Sequence, residues 1–236
     1  ELLDNAIDAG ATFIEVYVEG GGMDSVRVVD DGCGMGKEDL ELCCLPHATS
    51  KIEQIEDLLS VTSLGFRGEA LASIAACSRL SITSSDGKEG GRLIIHGGEL
   101  IGKEDAPLKR GTVVEAKDLF FNMPARKKFM KSAAAEGAAC KAVFLEKALP
   151  FPQITFRYFA DGEMKLFLPA SELVERVFTG YAEQIERAFI SETEKNFGNF
   201  SLKAVLGGPS LFRRDRKLMQ VYVNGRRIQE FSLLQA

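Results

Sequence analysis

The stretch ELLDNAIDAGA, from Glu1 to Ala11, decides how everything after it is read. Set on a helix, each residue turns the chain by roughly 100°. Glu1, Asn5 and Asp8 then fall within roughly 60° of one another on a single polar stripe, while Leu2, Leu3, Ala6 and Ile7 cover the opposite side. A carboxylate and a carboxamide therefore sit one turn apart and face the same way. A carboxylate so placed can orient and deprotonate an attacking water. An amide oxygen can ligate a hard, oxygen-seeking magnesium ion. The ordinary alternative is an amphipathic surface helix, for which this spacing is common.

Two further pieces work with the first. In VVDDGCGMG (Val28 to Gly36) a strand over Ser25 to Val29 runs into Asp30, Gly32 and Gly34. Val26 and Val28 share one face of that strand. A carboxylate at a strand end, followed by two glycines, suits close approach of a flat ligand to backbone. Asp30 can accept a hydrogen bond from an exocyclic amino group such as that of adenine. Taken alone, D-x-G-x-G also fits a plain β-turn. In LGFRGEALASI (Leu64 to Ile74) the residues Gly65, Phe66, Arg67, Gly68 and Leu71 open a helix expected to run through Ala76. Glycines ahead of a helix N-terminus expose N–H groups that can cradle phosphate. Arg67 suits either phosphate binding or pairing with a nearby acid. The loop matches neither G-x-x-x-x-G-K-[ST] nor G-x-G-x-x-G. Together the three pieces read as an ATP site of another type.

In this order and spacing they resemble the Bergerat-type ATP site shared by gyrase, Hsp90, histidine kinases and MutL. Within that superfamily, HATSKI (His47 to Ile52), GFRGEAL (Gly65 to Leu71) and FFNMPARKKF (Phe120 to Phe129) resemble the MutL family of DNA mismatch repair ATPases. VYVNGRRI (Val221 to Ile228) resembles that family's second domain. The resemblance implies an α/β fold: a sandwich of helices on a mixed sheet, followed by the start of a small second α/β domain of the ribosomal S5 type. It implies Glu1 as the group that polarises water, Asn5 as the ligand of Mg2+, and Asp8, Asp30, Gly32, Gly34 and Thr112 around the nucleotide. Thr49, Ser50 and Lys51 would lie in a lid over the phosphates, and Gly65, Phe66, Arg67, Gly68 and Leu71 in the phosphate loop. One departure is Pro46, where the family usually carries an arginine before the histidine. By the same resemblance, ATP binding and slow hydrolysis drive N-terminal dimerisation, as homodimer or heterodimer, and clamping of DNA without sequence preference. Implied partners are a mismatch-recognition protein of the MutS type and a downstream nuclease or helicase, in a bacterial cytoplasm or a nucleus. The rival readings are another ATPase of the superfamily, such as a topoisomerase subunit, and a DNA-binding scaffold that keeps the motifs for fold alone.

Bulk properties set outer limits. The chain has 236 residues with 45% hydrophobic content, enough for a sizeable core in one or two domains. A net charge of −5 argues against a generally basic nucleic-acid binder, so DNA contact would come from local patches. Two such patches are Arg213-Arg214-Asp215-Arg216-Lys217 and Arg226-Arg227, and Arg213, Arg214, Arg226 and Arg227 are the candidate contacts. Arg126 to Lys131, with four cations in six residues, fits either a solvated helix face or DNA phosphates. Five cysteines without C-x-x-C spacing read as free thiols. No apolar run long enough for a membrane span is present.

The remaining elements follow from period and punctuation. Strands are expected over Phe13 to Val18, Arg79 to Ser84, Gly91 to His96 and Thr112 to Ala116, with a hairpin and charged loop from Gly97 to Arg110. A short helix should span Lys37 to Leu45, and a long one should run from Arg126 to Leu149. Ile154 to Phe159 and Met164 to Leu168 should pair around Asp161-Gly162. A linker helix over Ser171 to Tyr181 places a domain boundary near 180, followed by strands over Ser201 to Leu206 and Gln220 to Val223. The expected organisation is an ATP-binding domain over 1–180 and a DNA-contacting domain over 181–236. The helical opening and the unpunctuated ending suggest a piece cut at both ends.

Overall fold

A computed structural model describes residues 1–44, 70–105, 109–198, 200–211, 214–216 and 218–228. Its frame is an eight-stranded sheet with strands in the order β5-β4-β3-β6-β2-β1-β7-β8. The strands are β1 (Phe13–Glu19), β2 (Ser25–Asp30), β3 (Arg79–Ser85), β4 (Gly90–His96), β5 (Glu99–Glu104), β6 (Gly111–Lys117), β7 (Thr155–Ala160) and β8 (Glu163–Leu168). Only β1 and β7 run parallel, and the other neighbours are antiparallel. The sheet is therefore mixed, as expected.

Period-two alternation builds this sheet. Ile14, Val16 and Val18 on β1, Leu80 and Ile82 on β3, Leu93 and Ile95 on β4, and Phe156 and Tyr158 on β7 are all buried. The residues between them point to the other face. That face is half-buried and polar: Tyr17 stacks on Phe159 at 4.5 Å, and Arg157 pairs with Glu15. The helices lie on the apolar face in two groups. Helix α1 (Leu2–Asp8) and α5 (Ala133–Ala148) join β1, β2, β7 and β8 in one core. Helices α2 (Lys37–Leu42) and α3 (Ala70–Cys77) join β3, β4 and β6 in a second.

The expected long helix from Arg126 is two helices. Pro124–Lys127 forms a single turn, α4, and α5 starts afresh after Ser132. The Ser132 hydroxyl accepts from the Ala135 N–H, and the Glu136 carboxylate accepts from the Lys131 N–H at 2.8 Å. These side chains satisfy N–H groups that a continuous helix would have bonded internally, so the break is capped on its far side. The hairpin after His96 turns at Gly97 and Gly98, both at positive φ, and its second arm is β5. The Asp161-Gly162 turn joins β7 to β8 as expected.

Helix α6 (Leu173–Gly180) follows. Two short antiparallel pairs come after it: β9 (Ile190–Phe197) with β10 (Phe200–Gly207), and β11 (Val221–Val223) with β12 (Arg226–Ile228). The strands β9 and β12 were not anticipated, because their charged and half-exposed residues hide the alternation. Arg226 and Arg227 consequently lie on a strand, not on a basic loop. All five cysteines are free thiols. Among the described residues no helix is long and apolar enough to cross a membrane.

Candidate nucleotide site

Helix α1 carries the polar stripe. Glu1 stands at its N-cap with an exposed side chain, and Asn5 and Asp8 are half-buried further along. Leu3 and Ala6 go into the core, which fixes the rotation of the helix about its axis. The chain leaves through Ala9 and Gly10, where Gly10 takes φ +69.

The acidic glycine loop is bound to the end of that helix. The Cys33 N–H donates to the Ala9 carbonyl at 2.8 Å. Gly32 lies so close that a Cβ there would come within 2.7 Å of the Ala9 Cβ. At Gly34, with φ +67, a Cβ would lie 1.8 Å from the Ser85 carbonyl oxygen. Gly111, at φ +135, would put a Cβ 2.2 Å from the Asp30 carbonyl oxygen. These glycines are required by contacts within the protein, a reason the sequence reading did not supply.

Asp30 ends β2, and its backbone is paired with Thr112 of β6. Its Oδ1 accepts from the Gly32 N–H at 2.9 Å. Burial pushes the carboxyl up to about 6, with the neighbouring Asp31 adding to the rise and the Gly32 N–H opposing it. A carboxylate desolvated to this degree and given little compensation is the pattern of a site that expects a donor. Asp31 next to it is structural. Burial pushes it up, but bonds from the Thr12 hydroxyl at 2.6 Å and the Phe13 N–H at 2.8 Å outweigh this and hold it below the usual carboxylate range.

Ser84, fully buried on β3, was not singled out from the sequence. Its hydroxyl lies 2.8 Å from that of Thr112 and accepts from the Met35 N–H at 2.9 Å. It therefore joins β3, β6 and the glycine loop beneath Asp30. A lone serine on an alternating strand gave no signal of this. Asp4 was also missed. It is buried beside α5, with Oδ2 paired to Lys147 Nζ at 2.7 Å and Oδ1 without a partner.

The structure places Asp30, Gly32, Gly34 and Thr112 together and ties their loop to the C-terminal end of α1, where Asp8 lies, with Asn5 one turn earlier and Glu1 at the helix's other end. Leu71 lies on α3 and packs against the second core. Thr49, Ser50, Lys51, Gly65, Phe66, Arg67 and Gly68 lie outside the described residues, as does Arg213. Arg214 is exposed. Arg227 is drawn into an ion pair with Glu146 of α5.

The chain is 43% identical, over 97% of its length, to the DNA mismatch repair protein MutL of Pelotomaculum thermopropionicum, and covers 38% of that protein. It is 39% identical over its whole length to MutL of Borrelia garinii subsp. bavariensis, again covering 39% of the relative. The relatives it resembles along its length are MutL proteins. A family model described as histidine kinase-, DNA gyrase B- and HSP90-like ATPase matches residues 1–105, the part that holds α1 and the glycine loop. The solved MutL ATPase domain of Aquifex aeolicus in complex with ADP superposes with a TM-score of 0.74 at 28% identity, covering 99% of this chain and 82% of that one. The α/β fold, with helices on a mixed sheet, is that of the MutL ATPase domain. The chain spans about 40% of the length of the curated MutL relatives it matches.

Proposed function

We propose that this chain is the ATP-binding and ATP-hydrolysing module of a MutL-type DNA mismatch repair protein. The observation that carries the reading is Asp30: a half-buried carboxylate, raised by desolvation, at a strand end whose loop is bonded to the end of the helix that carries Glu1, Asn5 and Asp8. Such a group gains from a donor such as the adenine amino group. Thr112 is held beside it by the β2–β6 register and by Ser84. These residues fit the base end of a nucleotide.

Asn5 fits a magnesium ion by the chemistry of its amide oxygen. Among the described residues no group of three or more His, Cys, Asp or Glu side chains converges on a metal position. An ion here would therefore complete its oxygen shell from the triphosphate and water, as magnesium prefers. Bound there, it would neutralise charge that develops on the phosphates. Glu1 would orient and deprotonate the attacking water. Residues 49–51 and 65–68 would hold the phosphates. The domain over 181–236 would add contacts to DNA phosphates through Arg213, Arg214 and Arg226, with Arg227 free to join them only if it leaves Glu146. Dimerisation, DNA clamping, and partners of the MutS and nuclease or helicase kinds belong to this proposal. Slow hydrolysis would act as its timer.

The test is magnesium-ATP binding and turnover by the intact protein, for wild type, Glu1→Ala and Asn5→Ala. Retained binding with lost turnover in Glu1→Ala, and lost magnesium-dependent binding in Asn5→Ala, are the expected results. A wild type that neither binds nor turns over ATP would leave a scaffold reading in its place.

A further inference from the structure

The last turn of α5 makes contacts in two directions from consecutive residues. Lys147 reaches α1, where its Nζ lies 2.7 Å from Asp4 Oδ2. Asp4 is only 4% exposed, and Lys147 is the only side chain that pairs with it among the described residues. Its other oxygen has no partner. Glu146, next in line, faces the β11–β12 hairpin. Its carbonyl accepts from the Tyr222 hydroxyl at 3.0 Å, and its carboxylate pairs with Arg227. The turn of the hairpin also touches the loop just after α5: a Cβ at Gly225 would lie 2.4 Å from the Phe151 ring.

Packing against the sheet and α5 sets the position of helix α1. Leu3 and Ala6 supply apolar packing. Asp4 supplies a directional contact to α5, about 100° around the helix from Asn5. Removing the partner of a buried carboxylate leaves a charge that must find water or move. Here any such move carries Glu1 and Asn5 with it.

We infer that Lys147 is a positioning residue for the nucleotide helix, and that the β11–β12 hairpin, seated on Glu146, sets where Lys147 stands. The hairpin and the nucleotide helix are then two ends of one rigid link through the last turn of α5. The consequence for catalysis rests on the ATP reading above, but the mechanical link does not.

Amide hydrogen exchange over 2–8 in the nucleotide-free intact protein tests the link directly. Lys147→Met should raise exchange there by about tenfold or more while β3 and β4 stay unchanged, since local opening is governed by local contacts. Lys147→Arg, which keeps the pair, should restore protection. Arg227→Ala, which removes the partner of Glu146 on α5, should also raise exchange over 2–8, and by less when Lys147 is already Met. Unchanged exchange over 2–8 in Arg227→Ala, or effects of the two substitutions that simply multiply, would overturn the inference. If Lys147→Met does not fold, Arg227→Ala decides it alone. ADP affinity is measured beside exchange, with weaker binding expected in both variants. A wild type that binds no ADP would end the ATP reading and leave the exchange result to judge the link.

Discussion

The hydroxyls of Ser84 and Thr112 lie 2.8 Å apart in the closed space beneath the glycine loop, and the Met35 N–H donates to the same serine. One atom thus joins two sheet strands to the loop that carries Asp30. Ser84→Ala would remove only an oxygen, yet it would leave the Met35 N–H and the Thr112 hydroxyl without this partner in a dry place. The expected cost is about 2 kcal/mol of folding stability, the usual range for orphaned buried donors. Urea unfolding checks it. Weaker ADP binding should accompany the loss, because the loop is no longer held at Met35. Unchanged stability and affinity would mean that water takes the serine's place.

Asp30 offers a prediction with a sign. Its carboxyl is raised by burial to about 6 in the folded state, from 3.8. A raised acid binds its proton more tightly when folded, so the fold is helped below the unfolded value and loses that help as pH rises through about 6. At pH 8 the ionised, desolvated group costs on the order of 2 kcal/mol. Asp30→Asn keeps an acceptor for the Gly32 N–H and removes the charge. It should therefore be more stable than wild type at pH 8, with the gap closing toward pH 4, as read by thermal unfolding across pH. Nucleotide binding should run the other way. Wild-type affinity for ADP should fall as pH drops below about 6, because the protonated carboxyl is a poorer acceptor, and Asp30→Asn should bind weakly at every pH.

Gly34 and Gly102 make a matched pair. A Cβ at Gly34 would sit 1.8 Å from a backbone oxygen at positive φ, whereas at Gly102 nothing lies within 4 Å. Gly34→Ala should cost at least about 3 kcal/mol, since both the backbone and its neighbour must shift. Gly102→Ala on the edge strand β5 should change stability by less than about 0.5 kcal/mol. Chemical unfolding of the two variants in parallel settles whether the loop needs glycine for its own packing.

The sheet was legible because Phe13 to Glu19 and Arg79 to Ser85 alternate cleanly between a core face and a polar one. The α1 stripe was legible for the same reason at helical period. The break between α4 and α5 was not, since Lys128 to Ser132 contains neither Gly nor Pro. Its signal was Ser132, a good N-cap residue whose hydroxyl accepts from the Ala135 N–H, set inside a run of helix formers. The Asp4–Lys147 pair could not be read at all: it spans a separation of 143 residues, and nothing local to either residue records it. Of the site, Asp30 was visible from its strand end, but Thr112 came from family resemblance and Ser84 from neither. Hydroxyls that act by filling one shared pocket leave no pattern along the chain.

Arg176 is the largest fully buried side chain in the described structure, and no carboxylate pairs with it. One guanidinium nitrogen donates to the carbonyls of Pro152, Ile154 and Pro169, closing α6 against the entrance to β7 and the exit from β8. The ring of Phe156 lies 5.3 Å from the guanidinium carbon. Desolvation lowers the group to about 10, still well above neutrality, so it stays charged. Arg176→Lys keeps the cost of burying a cation but replaces a planar fork with a shorter, point-like ammonium that is more strongly hydrated. The variant should be about 2 kcal/mol less stable than wild type at pH 7. Unlike arginine, a buried lysine can shed its charge. Its folded value should fall below the ordinary 10.4, so the penalty is full below the folded value and fades as pH climbs toward 10.4. Unfolding free energies at pH 7 and pH 9.5 should show the gap to wild type narrowing. A gap that stays constant over that range would mean the ammonium has found water, and that the pocket at Arg176 opens more readily than its burial suggests.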